Sequence, residues 1–170
     1  MSPILEATRV VRCFTGGDGR AKDFTDDDPD ISEPGTFPTT KVVGGWDFAG
    51  TNYASNAPAN LPDYLVPKPD DDPRDQVGHG THVAGIAAGT TGVTAVYHGA
   101  APDAELIALK VFGGVQNGST TLSNSGIEWA IEANLGHRVK GLCKFDAGGL
   151  CRVDIINMSL GASFATNHPE

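Results

Sequence analysis

The fold is decided by residues 78–89, Gly78-His79-Gly80-Thr81-His82-Val83-Ala84-Gly85-Ile86-Ala87-Ala88-Gly89. Small and aliphatic residues recur in this stretch at helical spacing, which predicts a helix that begins near His79. Gly80 and Gly85 lower its intrinsic helicity, so we expect the helix to press closely against a sheet. The imidazole of His79 is a candidate catalytic group, because a histidine can accept and return a proton near neutral pH.

The chain beyond this helix alternates strands with helices. Residues 105–111 are largely apolar and predict a strand buried on both faces, which is typical of a parallel sheet. Ile155 and Ile156 predict another short buried strand. Strands that alternate with helices in this way indicate a doubly wound α/β domain, in which the loops after the carboxyl ends of the strands form the site.

Between these two strands the sequence predicts a second helix. Either Ser123 or Ser125 can cap it. The face that it turns towards the core is expected to comprise Ile127, Ala130, Ile131 and Asn134.

Two stretches predict loops. Residues 1–38 lack apolar periodicity and are rich in Asp, Gly, Thr and Pro, so little of the core is expected from them. Residues 49–75 carry prolines at a density that predicts a long surface connection without regular helix.

The stretch 78–89 also resembles the histidine motif of the subtilases, the subtilisin-like serine endopeptidases, and by that match His79 is the general base. Residues 41–48, 101–113, 125–134 and 153–161 resemble further subtilase elements in the same order, so the resemblance covers about Thr39 to Ala162. It implies an incomplete subtilisin-like fold, a doubly wound parallel sheet with flanking helices, since a subtilase catalytic domain is longer. We therefore divide the chain into an unassigned loop-rich segment, 1–38, and a partial peptidase domain, 39–170.

The resemblance also implies two substrate-binding walls. Gln116, Asn117 and Gly118 align with the segment that pairs with the substrate backbone, and Ser159, Leu160 and Gly161 align with the opposite wall of the specificity pocket. An extended polypeptide is the expected partner. Simple turn geometry is the alternative explanation for the glycines.

Two catalytic groups of the family have no counterpart in the sequence. No Gly-Thr-Ser nucleophile motif occurs, and the nearest echo of the aspartate strand, residues 10–16, carries Phe14 in place of the carboxylate. We expect the chain to supply the general base and the substrate walls of an endopeptidase, and to be inactive alone. The alternatives are an inactive truncated product and a peptide-binding module.

His82 follows one turn after His79. A metal site formed by the two is one possibility, but the pair lacks the spacing of a zinc motif and no third ligand is evident. We expect His82 to be a packed structural residue, and no metal is assigned.

The net charge of −9 excludes nucleic acid as an expected partner, since binding to phosphates requires cationic side chains. The runs Asp26-Asp27-Asp28-Pro29-Asp30 and Asp70-Asp71-Asp72 are expected to be solvated loops. Calcium binding is the alternative and is frequent in the family, but neither run has the ligand pattern of a calcium loop. No calcium site or other cofactor is therefore assigned.

The cysteines leave their pairing open. Cys143 and Cys151 could close a small disulfide loop or be unrelated thiols, and Cys13 is left over either way. Residues 1–6 do not resemble a signal peptide, and no stretch predicts a membrane span. A secreted location is implied by the family resemblance only.

Overall fold

The computed structural model describes residues 10–14 as backbone, together with residue 38 and residues 41–90, 98–114, 118–143 and 151–161. The elements of this part are, in chain order, β1 (Val10–Phe14), β2 (Val42–Asp47), α1 (Pro62–Leu65), α2 (His79–Ala88), β3 (Leu106–Lys110), α3 (Ser123–Asn134) and β4 (Ile155–Asn157).

The strands form one parallel sheet in the order β2-β3-β1-β4. β2 and β4 are the two outer strands of this order. The connection from β1 leads to β2 at one end of the sheet, and the connection from β3 leads to β4 at the other end. The direction in which the chain crosses the sheet therefore reverses between the central strands β1 and β3. Because the strands are parallel, their carboxyl ends meet at one edge. In sheets of this kind ligands bind at that edge, near the reversal.

A helix covers each face of β3, whose five residues are all buried. On one face, Leu106 and Ala108 pack with Ala84 and Ala88 of α2. On the other face, Ile107 and Leu109 pack with α3 residues that include Trp129, Ala130 and Ala133. The prediction of a strand buried on both faces of a parallel sheet is therefore confirmed.

The direction of α2 places its first residue at the carboxyl edge of the sheet. Its last residue, Ala88, packs with Ala104 and Leu106, which lie at the start of β3. The helix therefore runs against the strands, and its N-terminus lies near their carboxyl ends. Gly80 is buried as expected, whereas Gly85 lies against Gly89, where a Cβ would come within 2.7 Å of the Gly85 carbonyl oxygen.

Two loop predictions are wrong in part. Within residues 1–38, Val10–Phe14 form β1, which is paired on both sides, with Val10 opposite Leu106 of β3 and Ile155 of β4. A five-residue strand shows little hydrophobic periodicity of its own, and β1 is held by its pairing with β3 and β4. Within residues 49–75, Pro62 begins the single helical turn α1, a position at which proline lacks no hydrogen bond.

The packing of α3 and β4 also differs from the prediction. The buried face of α3 comprises Gly126, Trp129, Ala130 and Ala133, and Ile131 is 51% exposed. The cap prediction is wrong too, because Leu122 precedes the helix and no side chain caps it. Ile155 and Ile156 are 50% and 38% exposed, since β4 is the last strand on its side of the described sheet.

Cys143 and Cys151 form a disulfide with a Cα–Cα distance of 5.8 Å. Of the two alternatives that the sequence left open, a disulfide loop and two unrelated thiols, the structure has the disulfide. Cys151 is buried in the core beside α3. Leu142, next to Cys143, pairs with Gly45 through two backbone hydrogen bonds of 2.8 and 3.1 Å along the outer edge of β2. The disulfide therefore ties the core below α3 to a segment that covers the edge of the sheet.

Candidate functional site

His79 is the first residue of α2 and is exposed at the carboxyl edge of the sheet. Gly78 precedes it with φ 81° and ψ −16°, a left-handed conformation that favours glycine over other residues. With Gly78 in this conformation, the helix begins at His79.

A buried carboxylate holds the turn before His79. Asp75 is 5% exposed, and its Oδ1 accepts hydrogen bonds from the N–H groups of Val77 at 2.9 Å and Gly78 at 3.0 Å. Its Oδ2 accepts from the N–H of Thr81 at 2.8 Å and from the Thr81 hydroxyl at 2.9 Å. Asp75 thus satisfies helix-terminal donors on both sides of His79.

Asp75 was missed by the sequence analysis. It lies three residues before Gly78, the N-cap position of α2, so the N-cap preference for aspartate does not point to it. The expectation for His82 is wrong, because His82 is exposed on the first turn of α2 rather than packed.

The carboxyl ends of β2 and β3 are joined by a buried ion pair. Lys110 donates from Nζ to Oδ2 of Asp47 at 2.6 Å and to the carbonyl of Gly50 at 2.9 Å. Oδ1 of Asp47 accepts from the N–H groups of Ala49 and Gly50, both at 2.7 Å. Burial raises the pKa of Asp47, and the Lys110 ammonium and these N–H groups offset only part of that shift. The pair fixes the turn with which the chain leaves β2.

The first expected substrate wall lies partly within the described residues. Gly118 is half-buried, whereas Gln116 and Asn117 lie outside the part that the structure describes. The next residue, Ser119, is bonded through its backbone to Ser55 and Asn56, in the connection between β2 and α2. This connection was predicted as a surface loop, and nothing in its sequence indicated that it contacts Ser119.

The second expected wall follows β4 and is open to solvent. Ser159 and Gly161 are exposed, and Leu160 is half-buried. Nδ2 of Asn157 donates to Oγ of Ser159 at 3.0 Å. A Cβ added at Gly161 would meet no atom within 4 Å, so packing does not require a glycine there.

The sheet order separates the strands that precede the two expected walls. One wall follows β3 and the other follows β4, and β1 lies between these strands. Neighbouring strands are about 4.8 Å apart, so the ends of β3 and β4 are separated by roughly 9.6 Å.

No residue cluster of the kind that holds a metal ion occurs in the described ranges, when histidine, cysteine, aspartate and glutamate are considered. Asp70, Asp71 and Asp72 are exposed, and the N–H of Asp72 donates to Oδ1 of Asp70 at 2.9 Å. The run at residues 26–30 lies outside the described residues.

The model of the subtilase family matches residues 26–170. The chain belongs to the subtilase family. It is 39% identical to subtilisin DY of Bacillus licheniformis over 71% of this chain and 31% of that protein. It is 35% identical to thermitase of Thermoactinomyces vulgaris over 54% of the chain and 26% of the relative.

A third relative, subtilisin-like protease 5 of Arthroderma benhamiae, is 34% identical over 55% of this chain and 20% of its own length. The matches to these subtilases thus span less than a third of each relative. The chain has no match among solved structures. Among the helices that the structure describes, none is long and apolar enough to cross a membrane.

The family assignment makes the end of β1 informative. Phe14 is the last residue of that strand and is opposite Lys110, at the edge where α2 begins. The backbone of residue 14 therefore lies at the same edge of the sheet as the start of α2. Residues 10–14, the nearest sequence echo of the aspartate strand, thus form a strand that ends at a phenylalanine.

Proposed function

We propose that this chain supplies the general base and the two substrate walls of a subtilisin-like serine endopeptidase that hydrolyses extended polypeptides. The observation that carries the proposal is the position of His79. It begins α2 at the carboxyl edge of the sheet, the edge at which β3 and β4 also end. Membership of a serine protease family supports the same chemistry.

In this reaction His79 removes the proton from a serine hydroxyl and returns it to the leaving amine. A carboxylate must hold the imidazole in the correct orientation. The printed sequence has neither a Gly-Thr-Ser nucleophile motif nor a carboxylate at the end of β1. Loss of the serine alone lowers the kcat of subtilisin by about 2 × 10⁶. We therefore expect no hydrolysis by this chain alone.

The substrate is a polypeptide in extended form. Gln116, Asn117 and Gly118 form one wall and Ser159, Leu160 and Gly161 the other, and a peptide between them adds a strand with hydrogen bonds on both sides. The negative net charge disfavours nucleic acid as a partner. The disulfide supports function in an oxidising, extracellular compartment.

The first test is to read the coding sequence on both sides of this frame. An Asp-Thr-Gly strand upstream and a Gly-Thr-Ser helix downstream are expected, and the absence of both would overturn the endopeptidase proposal. A product that contains all three motifs should hydrolyse casein. In it, His79→Ala should lower the rate by about 10⁶. His82→Ala, at an exposed position one turn later, is the matched control and should retain the rate.

The second test addresses the chain alone. A fluorophosphonate probe, which labels activated serines, should leave the 170-residue chain unmodified. Labelling that disappears in His79→Ala would show that a nucleophile is present after all.

A further inference from the structure

The segment that covers the outer edge of β2 comprises residues 139–143, which we call the strap. It pairs with the strand through two backbone hydrogen bonds between Gly45 and Leu142, of 2.8 and 3.1 Å. A Cβ added at Gly44 would come within 2.4 Å of the Leu142 carbonyl oxygen. A Cβ added at Gly141 would come within 2.1 Å of the Gly45 carbonyl oxygen. The backbones of the strap and of β2 are therefore in direct contact, which the glycines permit.

Both tryptophans of the sequence, Trp46 and Trp129, contact the strap. The Lys140 ammonium lies 6.0 Å from the centroid of the Trp46 ring. A Cβ added at Gly141 would lie 3.0 Å from Cε3 of the same ring. The indole N–H of Trp129, which is buried, donates to the Lys140 carbonyl at 2.8 Å. The strap thus covers part of the Trp46 ring and is hydrogen-bonded to the core.

The disulfide between Cys143 and Cys151 ties the strap covalently to the core, and its two ends are held unequally. Cys151 is 2% exposed, and two residues later Asn134 of α3 binds the N–H and the carbonyl of Val153, at 2.7 and 2.8 Å. Cys143 is half-buried, and residues 140–142 before it are exposed. If the disulfide breaks, the Cys151 end stays bound to α3 and the strap loses its covalent anchor.

We infer that this disulfide is a redox-sensitive latch, and that its reduction by a dithiol releases the strap from β2. A thiolate of the dithiol attacks the sulfur of Cys143, the less buried partner, and Cys151 leaves as a thiolate that takes up a proton. The second thiol of the reductant then displaces Cys143 from the mixed disulfide. The reductant becomes a disulfide and the chain gains two thiols, so two electrons and two protons are transferred.

Release of the strap uncovers the backbone N–H and carbonyl of Gly45, together with part of the Trp46 ring. The strap runs antiparallel to β2 at this point, so the uncovered edge suits an antiparallel strand. An unpaired strand at the edge of a sheet is a template for such pairing. The oxidised chain keeps this edge covered, and the reduced chain presents it. The latch lies at the end of the sheet opposite β4 and does not depend on the proposed peptidase function.

The experiment compares amide hydrogen exchange of the oxidised 170-residue chain and of the chain reduced with dithiothreitol, well below the thermal midpoint. After reduction, the amides of Gly45 and Leu142 should exchange about tenfold faster or more, because the strap opens locally. The amides of Ile107 and Leu109 in the buried β3 should stay protected. Unchanged exchange at Gly45 and Leu142 after complete reduction, verified by the mass of the alkylated thiols, would overturn the latch. Equal acceleration at Ile107 and Leu109 would also overturn it, since the whole chain would then unfold.

Cys143→Ala/Cys151→Ala is the matched variant without a latch. In the absence of reductant it should exchange at Gly45 and Leu142 as fast as the reduced parent chain does. Dithiothreitol should not accelerate its exchange further. The variant retains Cys13, so a further response to dithiothreitol would assign the effect of the reductant to that residue and would contradict the latch.

Gly141→Ala should open the strap without reduction. Gly141 has φ 79°, and its added Cβ would come within 2.1 Å of the Gly45 carbonyl oxygen. Exchange at Gly45 should therefore accelerate in the oxidised variant. Gly136→Ala is the matched control, because Gly136 has φ 76° but precedes the strap, and it should leave exchange at Gly45 unchanged. Equal effects of the two substitutions would assign the acceleration to backbone strain and contradict the strap as the cover of this edge.

Discussion

The carboxylate of Asp75 accepts hydrogen bonds from both the backbone N–H and the hydroxyl of Thr81, at 2.8 and 2.9 Å. His79 lies between these two residues in sequence. The carboxylate also binds the N–H groups of Val77 and Gly78. The position of the proposed general base therefore depends on one buried acidic side chain.

Asp75→Ala should lower the free energy of unfolding by about 2–3 kcal/mol, because the partly buried N–H groups of Val77, Gly78 and Thr81 lose their acceptor. Thr81→Val removes only the hydroxyl donor and should cost about 1 kcal/mol. Urea unfolding monitored by circular dichroism measures both. Equal losses in the two variants would show that the backbone bonds of Asp75 contribute nothing.

The buried pair of Asp47 and Lys110 predicts a strongly non-additive double-mutant cycle. Asp47→Asn or Lys110→Met alone leaves an uncompensated buried charge and should cost about 3–5 kcal/mol. The double variant removes both charges and should be more stable than either single variant. Additive losses, measured by urea unfolding at neutral pH, would contradict the coupling of the two side chains.

The same pair predicts a pH dependence of stability. Burial raises the pKa of Asp47 above its ordinary value of 3.8, so the native state holds a proton that the unfolded state has already released. The native state then binds more protons, and the free energy of unfolding falls as the pH rises from 3.8 through the folded pKa. The stability of the parent chain relative to the double variant should decrease across this range. If this relative stability increased with pH instead, the pKa of Asp47 would be lowered, not raised, in the folded chain.

The disulfide between Cys143 and Cys151 should stabilise the fold by about 2.5 kcal/mol through closure of its short loop. Reduction of the parent chain should therefore lower its thermal midpoint. In Cys143→Ala/Cys151→Ala, the reductant should have no further effect. If the reductant lowered the thermal midpoint of this variant by the same amount, the effect of reduction on the parent chain would not come from this disulfide.

The sequence predicted the parts of the fold whose local pattern agrees with their environment. The helix at His79 and the buried β3 follow from residue type and spacing, and Leu106 to Leu109 are buried as expected. Lys110, a polar exception in that pattern, is buried as well, and its partner Asp47 was not predicted. The exposure of Ile155 and Ile156 was not predictable, because a short apolar run does not distinguish a central strand from an edge strand. The bond between Asn56 and Ser119 joins residues that are 63 positions apart, and no local pattern encodes it.

The exposed edge of the sheet at β4 predicts self-association of the isolated chain. Ile155, Ile156 and Met158 are exposed along or beside this strand, and an apolar strand at a sheet edge is a template for pairing with another chain. Ile155→Lys should therefore reduce concentration-dependent light scattering, since a charge on an edge strand opposes pairing. Ile86→Lys is the matched control, because Ile86 is 62% exposed but lies on α2, away from the edge. If both substitutions reduced scattering equally, general surface hydrophobicity would drive the association; an effect of Ile155→Lys alone assigns it to the edge of β4.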